Sequence, residues 1–234
     1  MYRRVLLKLS GEQLAGKFDG GIDAGLCAWL ADEAKKVVDA GTEVVIMVGG
    51  GNYARGAQLA GHGIGRVTAD NIGMLATVMN GLALADIFNS AGLPARALST
   101  VEANQVIDQF THRRAISHLQ KKRVVVAAGG TGRPYVTTDT AAVALALELN
   151  CEVVLKATKV DGVYDRDPAQ FADARKVGKM SFQQAVEDNA IKVMDKAALG
   201  LAMEHQLPIV VFDALAEGNM QKAAAGEHVG TTIA

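Results

Sequence analysis

Cysteine is scarce in this chain: among 234 residues only Cys27 and Cys151 occur, each within an apolar stretch. Two isolated thiols exclude a disulfide-built scaffold and read as buried structural residues in a reducing compartment. An excess of charge is also missing. Lys and Arg number 24 against 25 Asp and Glu, giving a formal net charge of -1 and a pI of about 6.5. No broad basic field follows, which argues against nucleic acid or an anionic membrane as the main partner. The opening MYRRVLLKLSGE places two arginines before an apolar stretch, but Lys8 and Glu12 interrupt it. A secretory signal needs about 7–15 apolar residues and a spanning helix about 20, so neither is expected and the cytoplasm is the expected compartment. His62, His112, His118, His205 and His228 are scattered without metal-ligand spacing. No protein-held metal is expected, and no solenoid period or low-complexity linker divides the chain.

What the chain does have is apolar mass, 50% of its residues, enough for one sizeable core. Short apolar runs alternate with helical patterns. Arg4–Leu9, Val44–Val48, Val124–Ala127, Val153–Leu155 and Ile209–Phe212 read as strands covered on both faces. Ala24–Ala40, a long segment from near Thr68 to Gly92, Ala141–Leu149 and Lys196–His205 read as helices. Strands spaced by helices predict an α/β fold, a three-layer αβα sandwich around a mostly parallel sheet, built as one unit over 1–234.

Ligands of open parallel sheets collect at the carboxyl ends of the strands. Three glycine-bearing junctions fall there: KLSGE (Lys8 to Glu12), GGGNYARG (Gly49 to Gly56) and GGTGRPYVTTD (Gly129 to Asp139). Glycine lets backbone N–H groups approach a ligand closely, which a polyphosphate requires. One such loop is ordinary turn chemistry; three on one sheet edge, with Lys8, Arg55 and two threonines, predict phosphate handling. None matches G-x-x-x-x-G-K-[ST] or a dinucleotide fingerprint, so a P-loop enzyme and a Rossmann dehydrogenase are both excluded.

KLSGE, GGGN followed by Arg55, ADNIGMLATVMNGLA, TGRPYVTTDTAA and LKATKVDGVYDRDP occur in an order that resembles the UMP kinase branch of the amino-acid kinase family. Departures from that pattern fall at Ala69, Asn71, Arg133, Tyr135 and Val136. The resemblance implies transfer of the γ-phosphoryl group of ATP to UMP, with Mg2+ accompanying ATP. It implies a catalytic set of Lys8, Asp139, Lys156 and Arg55, and ATP contacts from Lys8, Leu9, Ser10, Gly11, Gly51, Arg55, Thr158, Tyr164 and Asp167. UMP is expected against Gly50, Asp70, Thr131, Gly132, Arg133, Pro134, Tyr135, Val136, Thr137 and Thr138. An acceptor-side lobe of about 1–150 and an ATP-side lobe of about 151–234 are implied as well. So are a homo-oligomer, a hexamer as in the family, and regulation by GTP as activator, through Arg96 and Arg123, and UTP as inhibitor. From the residues alone other readings stay open: Lys8 as a solvated strand end, Lys156 as a salt-bridge partner, Asp139 as a helix cap. Another amino-acid kinase acting on a carboxylate or carbamate, and a non-catalytic nucleotide sensor, are the rival functions.

Overall fold

The computed structural model describes residues 1–54, 59, 63–166, 170–171, 173–188 and 193–234; Arg55, His62 and Asp167 lie outside the described residues. In chain order the elements are β1 (Arg4–Leu9), α1 (Gly11–Leu14), α2 (Ala24–Asp39), β2 (Glu43–Val48), α3 (Arg66–Ser90) and β3 (Ala95–Ser99). Next come β4 (Asp108–Gln109), α4 (His112–Leu119), β5 (Val124–Ala128), α5 (Thr138–Glu148) and β6 (Val153–Thr158). The chain ends with β7 (Val163–Tyr164), β8 (Lys176–Val177), β9 (Lys179–Met180), α6 (Phe182–Glu187), α7 (Lys196–Glu204), β10 (Ile209–Asp213), α8 (Asn219–Ala225) and β11 (Thr231–Ile233).

Nine strands form one sheet in the order β4-β3-β5-β2-β1-β6-β10-β11-β9, parallel except where β11 runs antiparallel to β10. The α/β sandwich with a mostly parallel sheet is therefore as expected. Its strands form because runs such as Val-Val-Ile-Met-Val lose all their surface between two helical layers. On one face Val5, Leu7 and Leu9 meet Leu30, Val37, Leu84, Phe88 and Met220 from α2, α3 and α8. On the other, Leu6 meets Ala115, Ala142, Val143, Ala198 and Leu199 from α4, α5 and α7. Each Leu or Phe that is fully buried in these layers contributes about 1.5–3 kcal/mol of transfer free energy.

Departures from the expected elements fall at β3 and at the start of α3. β3 was not anticipated, because Arg96 and Ser99 interrupt its apolar run; it is held by parallel pairing to β5. α3 begins at Arg66 rather than Thr68, capped by Gly65 without a side-chain bond. α3 is also long and apolar enough to cross a membrane by length and composition. It is instead a core helix, with Leu84 and Phe88 at 0% exposure against the sheet.

β1 is the strand at which the connections change direction. β2, β5 and β3 build outward on one side of it, and β6 and β10 on the other. Such a reversal opens a crevice at the carboxyl ends of the strands, beside Lys8 and Lys156.

Candidate active site

Lys8 and Lys156 are direct register partners across β1 and β6, so their side chains rise from one face of the sheet on adjacent strands. Both meet Asp139 near the start of α5. Lys8 Nζ lies 2.8 Å and Lys156 Nζ 2.5 Å from the same Oδ1, and the three side chains are only 7%, 10% and 16% exposed. Two cations and one carboxylate leave one net positive charge at the bottom of the crevice.

Asp139 is free for this task because it does not cap α5, correcting the helix-cap reading. Thr137 is the cap: its Oγ1 accepts from the N–H of Asp139 at 3.1 Å and of Thr140 at 3.3 Å. Thr137 Oγ1 in turn donates to Asp195, and Thr140 Oγ1 donates to the same carboxylate at 2.9 Å. Asp195 also caps α7, accepting from Ala198 N–H at 2.9 Å. One carboxylate thus ties two helix starts together and fixes the backbone that carries Asp139. Sequence reasoning missed Asp195; an aspartate directly before the Lys196 helix was the available N-cap signal.

Burial pushes the Asp139 carboxyl up, but the Lys8 and Lys156 ammonium groups outweigh it and hold its pKa below the usual 3.8. Burial, followed by the charge of Lys8, pulls Lys156 down to about 8 against the opposing pull of Asp139. Both shifts are what a crowded, partly dehydrated charge cluster requires.

The first two glycine loops and the start of α5 converge above this cluster. A Cβ on Gly49 would stand 3.1 Å from Gly11 N and 3.6 Å from Thr138 Oγ1. In the first loop Ser10 caps α1, and its N–H donates to Gln13 Oε1 at 2.9 Å, while Leu9 is buried in the core. In the second, Gly51 faces the Glu12 side chain.

Gly50 opens onto a cleft of about 170 Å³ that Asp70, Gly73, Met74, Thr77, Gly130, Arg133, Val136 and Thr138 also line. Its rim is a triangle. Asp70 accepts from the Tyr135 N–H at 2.8 Å and from Arg66 Nε at 2.9 Å, and the Arg66 guanidinium stacks over the Tyr135 ring at 4.9 Å. Tyr135 has φ +65, a left-handed conformation unusual for an aromatic residue, and the bond to Asp70 helps hold it. Gly132 and Pro134 complete this loop. An adjoining recess of about 260 Å³ shares Gly130 and is walled by Met47, Phe110, Ala127 and Leu145. Thr131, on its wall, has a buried Oγ1 without a hydrogen-bond partner.

On the β6 side, Thr158 Oγ1 donates to Val160 O at 2.6 Å and reaches Phe212 O at 3.2 Å, joining the ends of β6 and β10. Tyr164 lies on the separate β7–β8 pair, its hydroxyl donating to Asp161 Oδ1 at 2.6 Å. Arg96 and Arg123 are not part of the crevice. They lie at the amino ends of β3 and β5, where Arg123 Nη1 is 3.4 Å from His118 Nδ1. Burial, then the charges of Arg123 and Arg96, lowers the His118 pKa. Arg96 also lines a hollow of about 550 Å³ with Asp86, Asn89 and Asp108.

Paired lysines on neighbouring parallel strands, a shared aspartate and converging glycine loops form a cationic site of a chemistry suited to phosphate, without a P-loop. Residues 3–213 match the amino acid kinase family, and the chain belongs to it. Within solved structures it is similar over its whole length to UMP kinases. That from Bacillus anthracis is 40% identical with TM-score 0.94, covering 99% of this chain and 96% of that one. UMP kinase from Ureaplasma parvum is 30% identical with TM-score 0.91, covering 100% of this chain and 99% of that one. Uridylate kinase from Archaeoglobus fulgidus is 30% identical with TM-score 0.73, over 98% of this chain and 99% of that one.

Proposed function

We propose that this chain is a UMP kinase, which transfers the γ-phosphoryl group of ATP to UMP and releases UDP and ADP for pyrimidine nucleotide synthesis. The observation that carries it is the Lys8–Asp139–Lys156 cluster directly beside a cleft lined by Gly50, Asp70 and Thr138. In the reaction an oxygen of the UMP phosphate bonds to the γ-phosphorus while the bond to the β,γ-bridging oxygen breaks. That acceptor oxygen is already ionised at neutral pH, since a phosphate monoester has its second pKa at about 6. No general base is needed; the task is alignment and charge stabilisation. Lys8 and Lys156 meet the charge on the moving phosphoryl group, and Asp139 keeps both ammonium groups aimed.

ATP lies along Lys8, Leu9, Ser10, Gly11, Gly51 and Arg55, with Thr158, Tyr164 and Asp167 on the later, ATP-side portion of about 151–234. The acceptor side is the portion of about 1–150. UMP lies against Gly50, Asp70 and the Thr131–Thr138 loop. Asp70, pinned by Arg66 and Tyr135, accepts from the ribose hydroxyls. Thr131 Oγ1, buried and unpartnered, suits a polar edge of the base. Among the described residues no group of three His, Cys, Asp or Glu could hold a metal ion. Mg2+ would come with the ATP phosphates, with Asp139 as the carboxylate of the lysine cluster, and would supply charge neutralisation between phosphates.

Val67, Leu75 and Met79 leave α3 with exposed apolar side chains, 48%, 51% and 49% accessible. Such exposure supports a homo-oligomer; the hexamer and the cytoplasmic compartment are our reading from the family resemblance. Arg96 and Arg123, whose charges both act on His118, offer guanidinium groups suited to a triphosphate, and we assign them to GTP as activator. UTP inhibits by occupying the UMP cleft.

The test is ADP release measured with UMP, CMP, acetylglutamate, aspartate and carbamate as acceptors, with and without GTP and UTP, alongside light scattering. UMP should be favoured over CMP by about 10²-fold or more in kcat/KM, because uracil and cytosine present opposite donors and acceptors to a site built for one. Equal use of CMP, or preference for a carboxylate acceptor, would overturn the assignment. A monomer, or rates indifferent to GTP, would remove the assembly or the activator reading respectively.

The alkaline pH limb gives a second expectation. Lys156 carries its proton below about 8 and loses it above, so kcat/KM should decline above that pH with a one-proton slope. Stability should move the other way. Between about 8 and 10.5 the unfolded chain binds a proton at this lysine that the folded chain has released. The Lys156 contribution to the unfolding free energy therefore rises with pH in that window. A pH–rate profile paired with urea denaturation checks both; a flat rate through the window would contradict it.

A further inference from the structure

α3 carries two polar side chains in the middle of an apolar run, Thr77 and Asn80, which are 2% and 0% exposed. Buried polar groups are costly unless fully bonded, and both are bonded to glycine loops. Thr77 Oγ1 accepts from the Gly129 N–H at 2.6 Å and donates its own proton to Met74 O at 2.7 Å. Asn80 Nδ2 donates to Gly49 O at 2.7 Å and to Asn52 Oδ1 at 2.7 Å, while Asn52 Nδ2 donates back to Asn80 Oδ1 at 2.9 Å. Asn52 Nδ2 also donates to Gly21 O at 2.6 Å. One helix face thus grips the second and third glycine loops at once.

We infer that Thr77 is a positioning residue, which sets the third glycine loop against the second through the Gly129 N–H, with Asn80 holding the second loop from the next turn. The inference rests on the reading of these loops as the acceptor site. Thr77 borders the cleft, but its proton is spent on Met74 O, so it offers no donor to a ligand. Gly129 is closely packed on its other side. It has φ +82, and a Cβ there would fall 2.4 Å from Thr100 Oγ1 and 2.9 Å from Val101 N. Gly50 is as tightly placed against α3, a Cβ there falling 2.7 Å from Gly73 O. With Thr100 and Val101 walling Gly129 on one side, the Thr77 bond fixes the third loop relative to α3, which also holds the second loop, and so helps place Gly130, Thr131 and Thr138 around the acceptor.

The test compares Thr77→Val, which keeps the shape and loses the hydroxyl, with Thr77→Ser, which keeps the hydroxyl. Thr77→Val should lower kcat/KM for UMP by about 10–100-fold, the scale for misplacing an aligned reactant, with KM for ATP within about twofold. Thr77→Ser should recover most of the loss. Amide hydrogen exchange at Gly129 should be about tenfold faster in Thr77→Val, matching one lost hydrogen bond, and near wild type in Thr77→Ser. A serine variant as impaired as the valine one would overturn the inference, as would UMP and ATP parameters falling together. Unchanged exchange at Gly129 would also overturn it. If the wild type does not phosphorylate UMP, the acceptor reading fails instead, and the exchange comparison still decides whether Thr77 holds the loop.

Discussion

Replacing Lys8 with alanine is expected to reduce kcat by about 10²–10³, the loss seen when one preorganised electrostatic donor is removed from an active site. The fold should survive. Lys8 stands beside a second ammonium group in register on β6, so its removal relieves a like-charge contact as well as breaking an ion pair. Lys156 remains on Asp139 at 2.5 Å, so the carboxylate is not left unpaired. Steady-state kinetics with thermal denaturation separate the two effects; a near-normal kcat would exclude Lys8 from phosphoryl transfer.

Asp139→Asn should be costlier, because it removes the charge that two buried cations share. The amide keeps the volume, but Lys8 and Lys156 would face each other without a counter-ion. Breaking a buried pair costs about 3–5 kcal/mol, and here one lysine can shed its proton, so the loss should fall at or below the lower end. With that proton goes the function: kcat should drop by about 10² or more, and the alkaline limb should shift below its wild-type position near 8. A variant that kept its limb unmoved would show that Asp139 does not set the charge state of Lys156.

Long apolar strands were legible in the sequence because both faces of them are covered. β1, β2, β5, β6 and β10 need no partner identity to be recognised, only runs such as Val-Leu-Leu ahead of Lys8. β3 was not legible, since Arg96 is half-exposed on a strand near the sheet edge and breaks the pattern. Lys8, Lys156 and Asp139 could be placed at strand ends and a helix start, but 17 residues separate Lys156 from Asp139, and only the parallel register makes their charges converge. Asp195 and Thr77 were missed for one reason. Each acts on a residue more than 50 positions away through a hydrogen bond, and no local period encodes such a partner. The visible trace of Thr77 and Asn80 was their polarity, three residues apart, inside an otherwise apolar stretch of α3.

The register of β1 against β6 has a bearing on how the chain tolerates change in length. Odd-numbered residues of β1 feed one core and even-numbered ones the other, so Lys8 owes its place to parity. Inserting one residue ahead of it within the strand would exchange the two sets. The cores, both apolar, would trade one branched side chain of β1 for another. The ammonium group would not be so forgiven, since it would emerge on the α2 side of the sheet, with the sheet between it and Asp139. Chemistry in this protein is thus more sensitive than folding to the counting of residues along a single strand.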